Sequence, residues 1–147
     1  MAYWIDGSFC DDMRILLVDD NPDDLALEKR AIRRAVPEAE LLEAHDGQQA
    51  LHMLIGPEAR EDERPALIFL DLKMPRVNGI EVLTQLRQEQ SFQRTPIVVL
   101  TSSDEEADLD ACYRAGVNSY IRKPVEFEEF VDEVGHAARY WCQTNAS

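Results

Sequence analysis

Ile15-Leu16-Leu17-Val18-Asp19-Asp20 is the stretch that decides how this chain folds. Four consecutive apolar residues without polar alternation suit a strand buried on both faces of a parallel sheet. Two acids stand directly at its end. Leu67-Ile68-Phe69-Leu70-Asp71 repeats the pattern, and Ile97-Val98-Val99-Leu100 repeats it again with Thr101-Ser102 at the end. Glu40 to Ala44 and Ser119 to Arg122 are weaker strand candidates. Helical patterns fill the gaps. Leu25 to Val36 sets Leu25, Ile32, Ala35 and Val36 on one side, and Gly79 to Gln88 does the same with Ile80, Leu83 and Leu86. Asp46 caps a helix reaching about Ile55, and Asp104 precedes one that stops at Gly116. From Glu126 to Trp141, Phe127, Phe130, Val131, Val134, Ala138 and Trp141 recur at three- and four-residue steps. Strand alternating with helix five times predicts a doubly wound α/β fold: a five-stranded parallel sheet with five helices.

Beyond these elements, residues 1–13 read as an N-terminal arm, 14–141 as one domain and 142–147 as a short tail. Gly56 to Pro65 reads as an exposed polar loop. The 147-residue length suits a single domain with no room for a second, and no output domain is expected to follow. No apolar run approaches a membrane span, and the first residues lack the pattern of a signal peptide. Cys10, Cys112 and Cys142 are odd in number and lack metal-like spacing, so a reduced, cytoplasmic protein is expected.

The formal net charge is -14. Such a charge argues against nucleic acid and anionic membrane as partners, because both bind through cations. The charge is uneven. Residues 1–24 hold seven acids against Arg14, and residues 101–147 hold ten acids against four bases. Between these ends, Lys29, Arg30, Arg33 and Arg34 against Glu28 form a basic island on the first helix, a candidate docking face.

In a parallel α/β sheet, function collects beyond the carboxyl ends of the strands. The first strand ends in Asp19-Asp20, the third in Asp71, the fourth in Thr101-Ser102, and the fifth in Lys123-Pro124. If the first and third strands are neighbours, at a spacing of about 4.8 Å, the three carboxylates converge. Like charges that close raise one another's pKa, and a divalent cation offsets the repulsion. An all-oxygen carboxylate set suits Mg2+. With a lysine and a hydroxyl added, the constellation fits placement of a phosphoryl group on a carboxylate.

Each piece alone has a plainer reading. Asp19-Asp20 with Asn21-Pro22 is an ordinary helix start, Asp71 a turn residue, Thr101-Ser102-Ser103-Asp104 a cap, and Lys123 a solvated loop residue. Their coincidence at successive strand ends is what favours a site. Competing site chemistries lack key residues. A haloacid-dehalogenase-type phosphatase needs an acid two after the nucleophile, where Lys73 stands. A flavodoxin-like phosphate cradle would be repelled by Asp19-Asp20-Asn21-Pro22-Asp23-Asp24. A Ca2+ loop starting at Asp20 lacks its sixth-position glycine, having Leu25.

From about Arg14 to Ala138 the chain resembles a response-regulator receiver domain of two-component signalling. The resemblance rests on Ile15 to Asp20, on Leu70-Asp71-Leu72-Lys73-Met74-Pro75 with Gly79, on Val99-Leu100-Thr101-Ser102, and on Ala115 to Pro124. The separations from Asp19 to Asp71, Thr101 and Lys123 are successively 52, 30 and 22 residues. It implies strand order 2-1-3-4-5 and a non-enzymatic phosphoacceptor whose chemistry is confined to its own phosphorylation and dephosphorylation. Asp71 would accept the phosphoryl group from a histidine kinase or phosphotransfer protein. Asp20, Asp71 and the Lys73 carbonyl would bind Mg2+ directly, and Asp19 would hold it through water. Lys123 and Thr101 would contact the phosphoryl oxygens, and Tyr120 would be the switch aromatic. The Lys123–Pro124 bond, commonly cis in the family, would aim Lys123. Lys73 would flank the site, either screening the phosphoryl group or lying solvated. The Gly56 to Pro65 loop, Asn118-Ser119-Tyr120 and Tyr140-Trp141 look like stand-alone receivers associated with bacterial phytochromes. That sub-family implies a light-sensing kinase as donor and a homodimer through the fourth and fifth helices and fifth strand. Phe127, Phe130, Val134 and Trp141 on the last helix are more than one sheet face needs; Phe127 and Val131 are expected to cover the sheet, and Trp141 is the better candidate for an interface aromatic.

Overall fold

The computed structural model describes residues 13–102, 105–123 and 126–144. The arm before Met13, the Asp104 helix start and the Lys123–Pro124 bond therefore lie outside the described residues.

Five parallel strands form one sheet in the order 2-1-3-4-5. They are β1 Arg14–Val18, β2 Glu40–Ala44, β3 Leu67–Leu70, β4 Ile97–Thr101 and β5 Ser119–Arg122. The helices are α1 Pro22–Ala35, α2 Gly47–Ile55, α3 Gly79–Gln88, α4 Glu106–Ala115 and α5 Phe127–Arg139. The predicted doubly wound fold is what the chain adopts.

The apolar runs divide by alternation. Ile15, Leu17, Leu67, Phe69, Val98 and Leu100 point to one face, where α1 and α5 cover them. Leu16, Val18, Ile68, Leu70, Ile97 and Val99 point to the other, beneath α2, α3 and α4. Burying each such side chain stabilises by about 1.5–3 kcal/mol, so a polar residue on either face of the central strands is disfavoured. That explains the unbroken runs. On α3 the buried stripe is Val82, Leu83 and Leu86, while Ile80 is only partly buried.

Two glycines are required by geometry. A Cβ on Gly79 would collide with the carbonyl oxygen of Asp71, so only glycine lets α3 start this close to the end of β3. Gly116 ends α4 at φ 100, a left-handed conformation that favours glycine. The Gly56 to Pro65 segment is largely exposed and carries a single 3-10 turn, Glu61–Glu63.

The last helix differs from expectation. It continues past Arg139 into a π-helical turn, Tyr140–Thr144, and Cys142 packs into the α1/α5 core. Phe130 and Val134 are buried in that core too, and Phe127 is covered by the Arg30 guanidinium at 4.7 Å. These residues face the sheet and α1 because α1 and α5 share one sheet face, so they supply no outward dimer surface. Trp141 is partly buried and donates through Nε1 to Ser119 Oγ at 3.1 Å. Tyr140 and Tyr113 are the exposed aromatics on this side.

Candidate phosphoacceptor site

The site is built by strand ends. The Asp71 N–H donates to Val18 O (2.9 Å) and the Asp19 N–H to Ala44 O (3.1 Å), extending the ladders one residue and fixing both acids beyond the sheet. Asn21, not Asp19 or Asp20, caps α1: its side-chain oxygen accepts from the Asp23 and Asp24 N–H groups. Asp19 Oδ1 in turn accepts from the Asn21 N–H at 2.9 Å. The capping duty falls on Asn21, which leaves Asp20 exposed and available.

One oxygen from each of Asp19, Asp20 and Asp71 lies within 4.8 Å of the others, with Asp19 and Asp71 buried and Asp20 exposed. Lys123 enters from the end of β5, where its N–H donates to Thr101 O at 2.8 Å. Its ammonium lies 3.0 Å from Asp19, 3.0 Å from Asp24, 3.9 Å from Glu28 and 4.0 Å from Asp71. Thr101 is fully buried at the end of β4, and Tyr120 is partly buried one strand away.

The electrostatics follow from crowding. Burial, more than any other cause, raises Asp71, with Asp19 and Asp20 adding to the effect. Lys123 and the Lys73 N–H oppose it, and the result is about 6. Burial alone would lower Lys123, yet the fields of Asp71, Asp19 and Glu28 outweigh it and hold the ammonium charged. Glu28 is the most perturbed acid. Burial first, then hydrogen bonding to and repulsion from Asp19, push it up to about 10, and its Oε2 has no hydrogen-bond partner.

Asp19, Asp20, Asp71 and Lys123 thus lie together, and Thr101 is tied to Lys123 through its backbone carbonyl. The Lys73 N–H hydrogen-bonds to the Asp71 carboxylate, while the Lys73 ammonium turns away to Asp108 on α4 at 3.1 Å. Sequence reasoning missed Asp24 and Glu28 as site residues, counting Glu28 only in the charge balance of the first helix. The signal was present: Asp24 and Glu28 stand four residues apart on α1, so one helix face carries both into the site. The basic island on α1 is largely engaged within the chain. Lys29 pairs with Glu43 at 2.9 Å, Arg34 with Glu128 at 3.3 Å, and Arg30 covers Phe127, while Arg30, Arg33 and Arg34 all stay exposed at the surface.

An α/β sheet that gathers three carboxylates, a half-buried lysine and a buried threonine at its carboxyl edge has the donor set a cation and a phosphoryl group would need there. The chain belongs to the response regulator receiver domain family, whose model matches residues 15–135. It is 34% identical over 131 residues to the response regulator Rcp1 of Synechocystis, covering 88% of this chain and 89% of that protein. It is 36% identical over 151 residues to a probable methanogenesis regulatory protein, FilR2, of Methanothrix harundinacea, covering 100% and 97%. The crystal structure of the phosphorylated cyanobacterial phytochrome response regulator RcpA superposes with TM-score 0.82 at 31% identity, covering 91% of this chain and 96% of that one. The Mn2+-bound form of Rcp1 superposes with TM-score 0.79 at 34% identity, covering 91% and 97%. Stand-alone, phytochrome-associated response regulators are thus among its homologues. Among the described residues, no helix is long and apolar enough to cross a membrane.

Proposed function

We propose that this protein is a single-domain response regulator that takes a phosphoryl group onto Asp71. The observation that carries the reading is the placement of the Asp71 carboxylate beside Asp19, Asp20 and the Lys123 ammonium. An ionised Asp71 oxygen attacks the phosphorus of a phosphohistidine. The new O–P bond forms as the P–N bond breaks, and the electron pair returns to the imidazole nitrogen. Lys123 and Thr101 stabilise charge on the transferred group. The clustered acids fit a hard divalent cation, Mg2+, held by Asp20, Asp71 and the Lys73 carbonyl, with Asp19 acting through water. Bound there, the cation supplies charge neutralisation. The phosphorylated relative RcpA and the Mn2+-bound relative Rcp1 support both parts.

Tyr120 is assigned the switch role, coupled to Thr101. Output is by protein contact on the α4/β5/α5 side, where a groove of about 800 Å3 is lined by Tyr113, Tyr120, Tyr140 and Trp141 among others. A second copy of the chain is the proposed occupant, with Tyr113, Tyr140 and Trp141 replacing the buried Phe130 and Val134 as contact residues. The donor is a histidine kinase or phosphotransfer protein, and the likeness to RcpA favours a phytochrome kinase. The proposed location is the cytoplasm, with neither nucleic acid nor membrane as partner. Asp71 labelling tests the core of the reading. After treatment with a small acyl phosphate and Mg2+, borohydride trapping should yield homoserine at position 71. Homoserine at position 19 or 20 instead, or at none, overturns it.

A further inference from the structure

Lys123 is not aimed at the acceptor. Its ammonium sits 3.0 Å from both Asp19 Oδ2 and Asp24 Oδ2, while Asp71 Oδ1 is 4.0 Å away. A phosphoryl group on Asp71 needs that ammonium on its own oxygens, and an ammonium has only three donors. When a divalent cation engages Asp19, that carboxylate's claim on the lysine weakens, because its charge is shared with the metal. Asp24 lies on α1 outside the cation cluster and loses nothing. It is therefore the competitor that remains. The two side chains differ in exposure, Lys123 at 14% and Asp24 at 36%, so the carboxylate can stay in water when the lysine leaves.

From this geometry, and resting on the phosphoacceptor reading of Asp71, we infer that Asp24 is a positioning residue that holds Lys123 on α1, away from the acceptor, and so weakens the phosphorylated state. Glu28 completes the cradle one turn further along the same face, with Oε2 3.9 Å from the ammonium. The phosphoryl group and α1 thus compete for one cation. A regulator built this way releases its lysine only while phosphorylated and recaptures it afterwards, which favours a short-lived signal.

The test is fluoroberyllate affinity at saturating Mg2+, read by calorimetry, for the wild type, Asp24→Asn and Asp23→Asn. Asp23 is exposed, one residue away, and makes no bond to Lys123 among those of the ammonium, so it controls for charge alone. Asp24→Asn should bind about threefold tighter, the size expected for losing one partly exposed ion pair, and Asp23→Asn should match the wild type. Without ligand, the Lys123 ammonium 15N resonance should move in Asp24→Asn only. Unchanged or weaker binding by Asp24→Asn, or equal tightening by both variants, overturns the positioning role. Failure of the wild type itself to bind fluoroberyllate overturns the acceptor reading instead.

Discussion

At the amino ends of β4 and β5, Arg87 carries a half-buried guanidinium; at the carboxyl ends of the same sheet, four acids crowd one lysine. The two regions treat buried charge in opposite ways. Arg87 donates to Gly116 O (2.9 Å), Phe92 O (2.6 Å), Thr95 O (2.8 Å) and Asn118 Oδ1 (2.7 Å), all neutral oxygens. Asn118 Oδ1 also accepts from the Ile97 N–H, so one side chain ties α3 to the entry of both strands. Burial lowers the Arg87 pKa without discharging it. At the other end Asp71 and Glu28 are held well above their ordinary values, and one Glu28 oxygen is left without a hydrogen-bond partner. A charge with four of its five donors held by neutral oxygens serves the fold. Charges left in mutual repulsion await something from outside, and such perturbation clusters at functional sites.

Removing Arg87 is the strongest way to break this contrast. Arg87→Met strips four hydrogen bonds and leaves their acceptors under-satisfied, and should lower unfolding free energy by about 2–4 kcal/mol in denaturant titrations. Labelling of Asp71 at low temperature should persist. A loss below about 0.5 kcal/mol would place Arg87 with ordinary surface residues.

The acid end should respond with the opposite sign. Asp71 rises from 3.8 to about 6 on folding, so the folded protein binds its proton more tightly than the unfolded chain. Stability associated with that proton is present at low pH and is lost as pH rises from about 4 through about 6. Asp71→Asn should therefore raise the melting temperature of the metal-free protein by a few degrees at pH 8, and by much less at pH 4. An equal gain at both values would separate the effect from Asp71 ionisation.

A third region makes the smallest difference to stability. Tyr140 is exposed and lies edge-on to Trp141 at 4.8 Å. Tyr140→Ser should leave the melting temperature unchanged while reducing the dimer fraction seen by light scattering with fluoroberyllate bound. An unchanged fraction, or a monomer with and without the ligand, contradicts the proposed interface.

Much of the fold was legible because burial on both faces of the sheet leaves unbroken apolar runs. Ile15 to Val18, Leu67 to Leu70 and Ile97 to Leu100 could be nothing else at that length with those flanks. The strand-end acids were legible for the same reason, since topology places strand ends together. What escaped was whatever depends on pairing between elements. Lys29 with Glu43, Arg34 with Glu128, and Arg30 over Phe127 turned a free-looking basic helix into one tied to β2 and α5. Phe130 and Val134 looked surplus because the share of the sheet covered by α1 is not written in α5. Asp24 and Glu28 were missed because periodicity was applied to apolar residues alone, although helix geometry carries acids into a site just as readily.

The central claim is that Asp71 is the charge-accepting end of this contrast. Intact mass after treatment with a small acyl phosphate tests it most directly. The wild type should gain one phosphoryl group with Mg2+ and lose that gain when the metal is chelated beforehand, and Asp71→Asn should gain none. Equal labelling of Asp71→Asn, or labelling indifferent to the cation, would contradict the account.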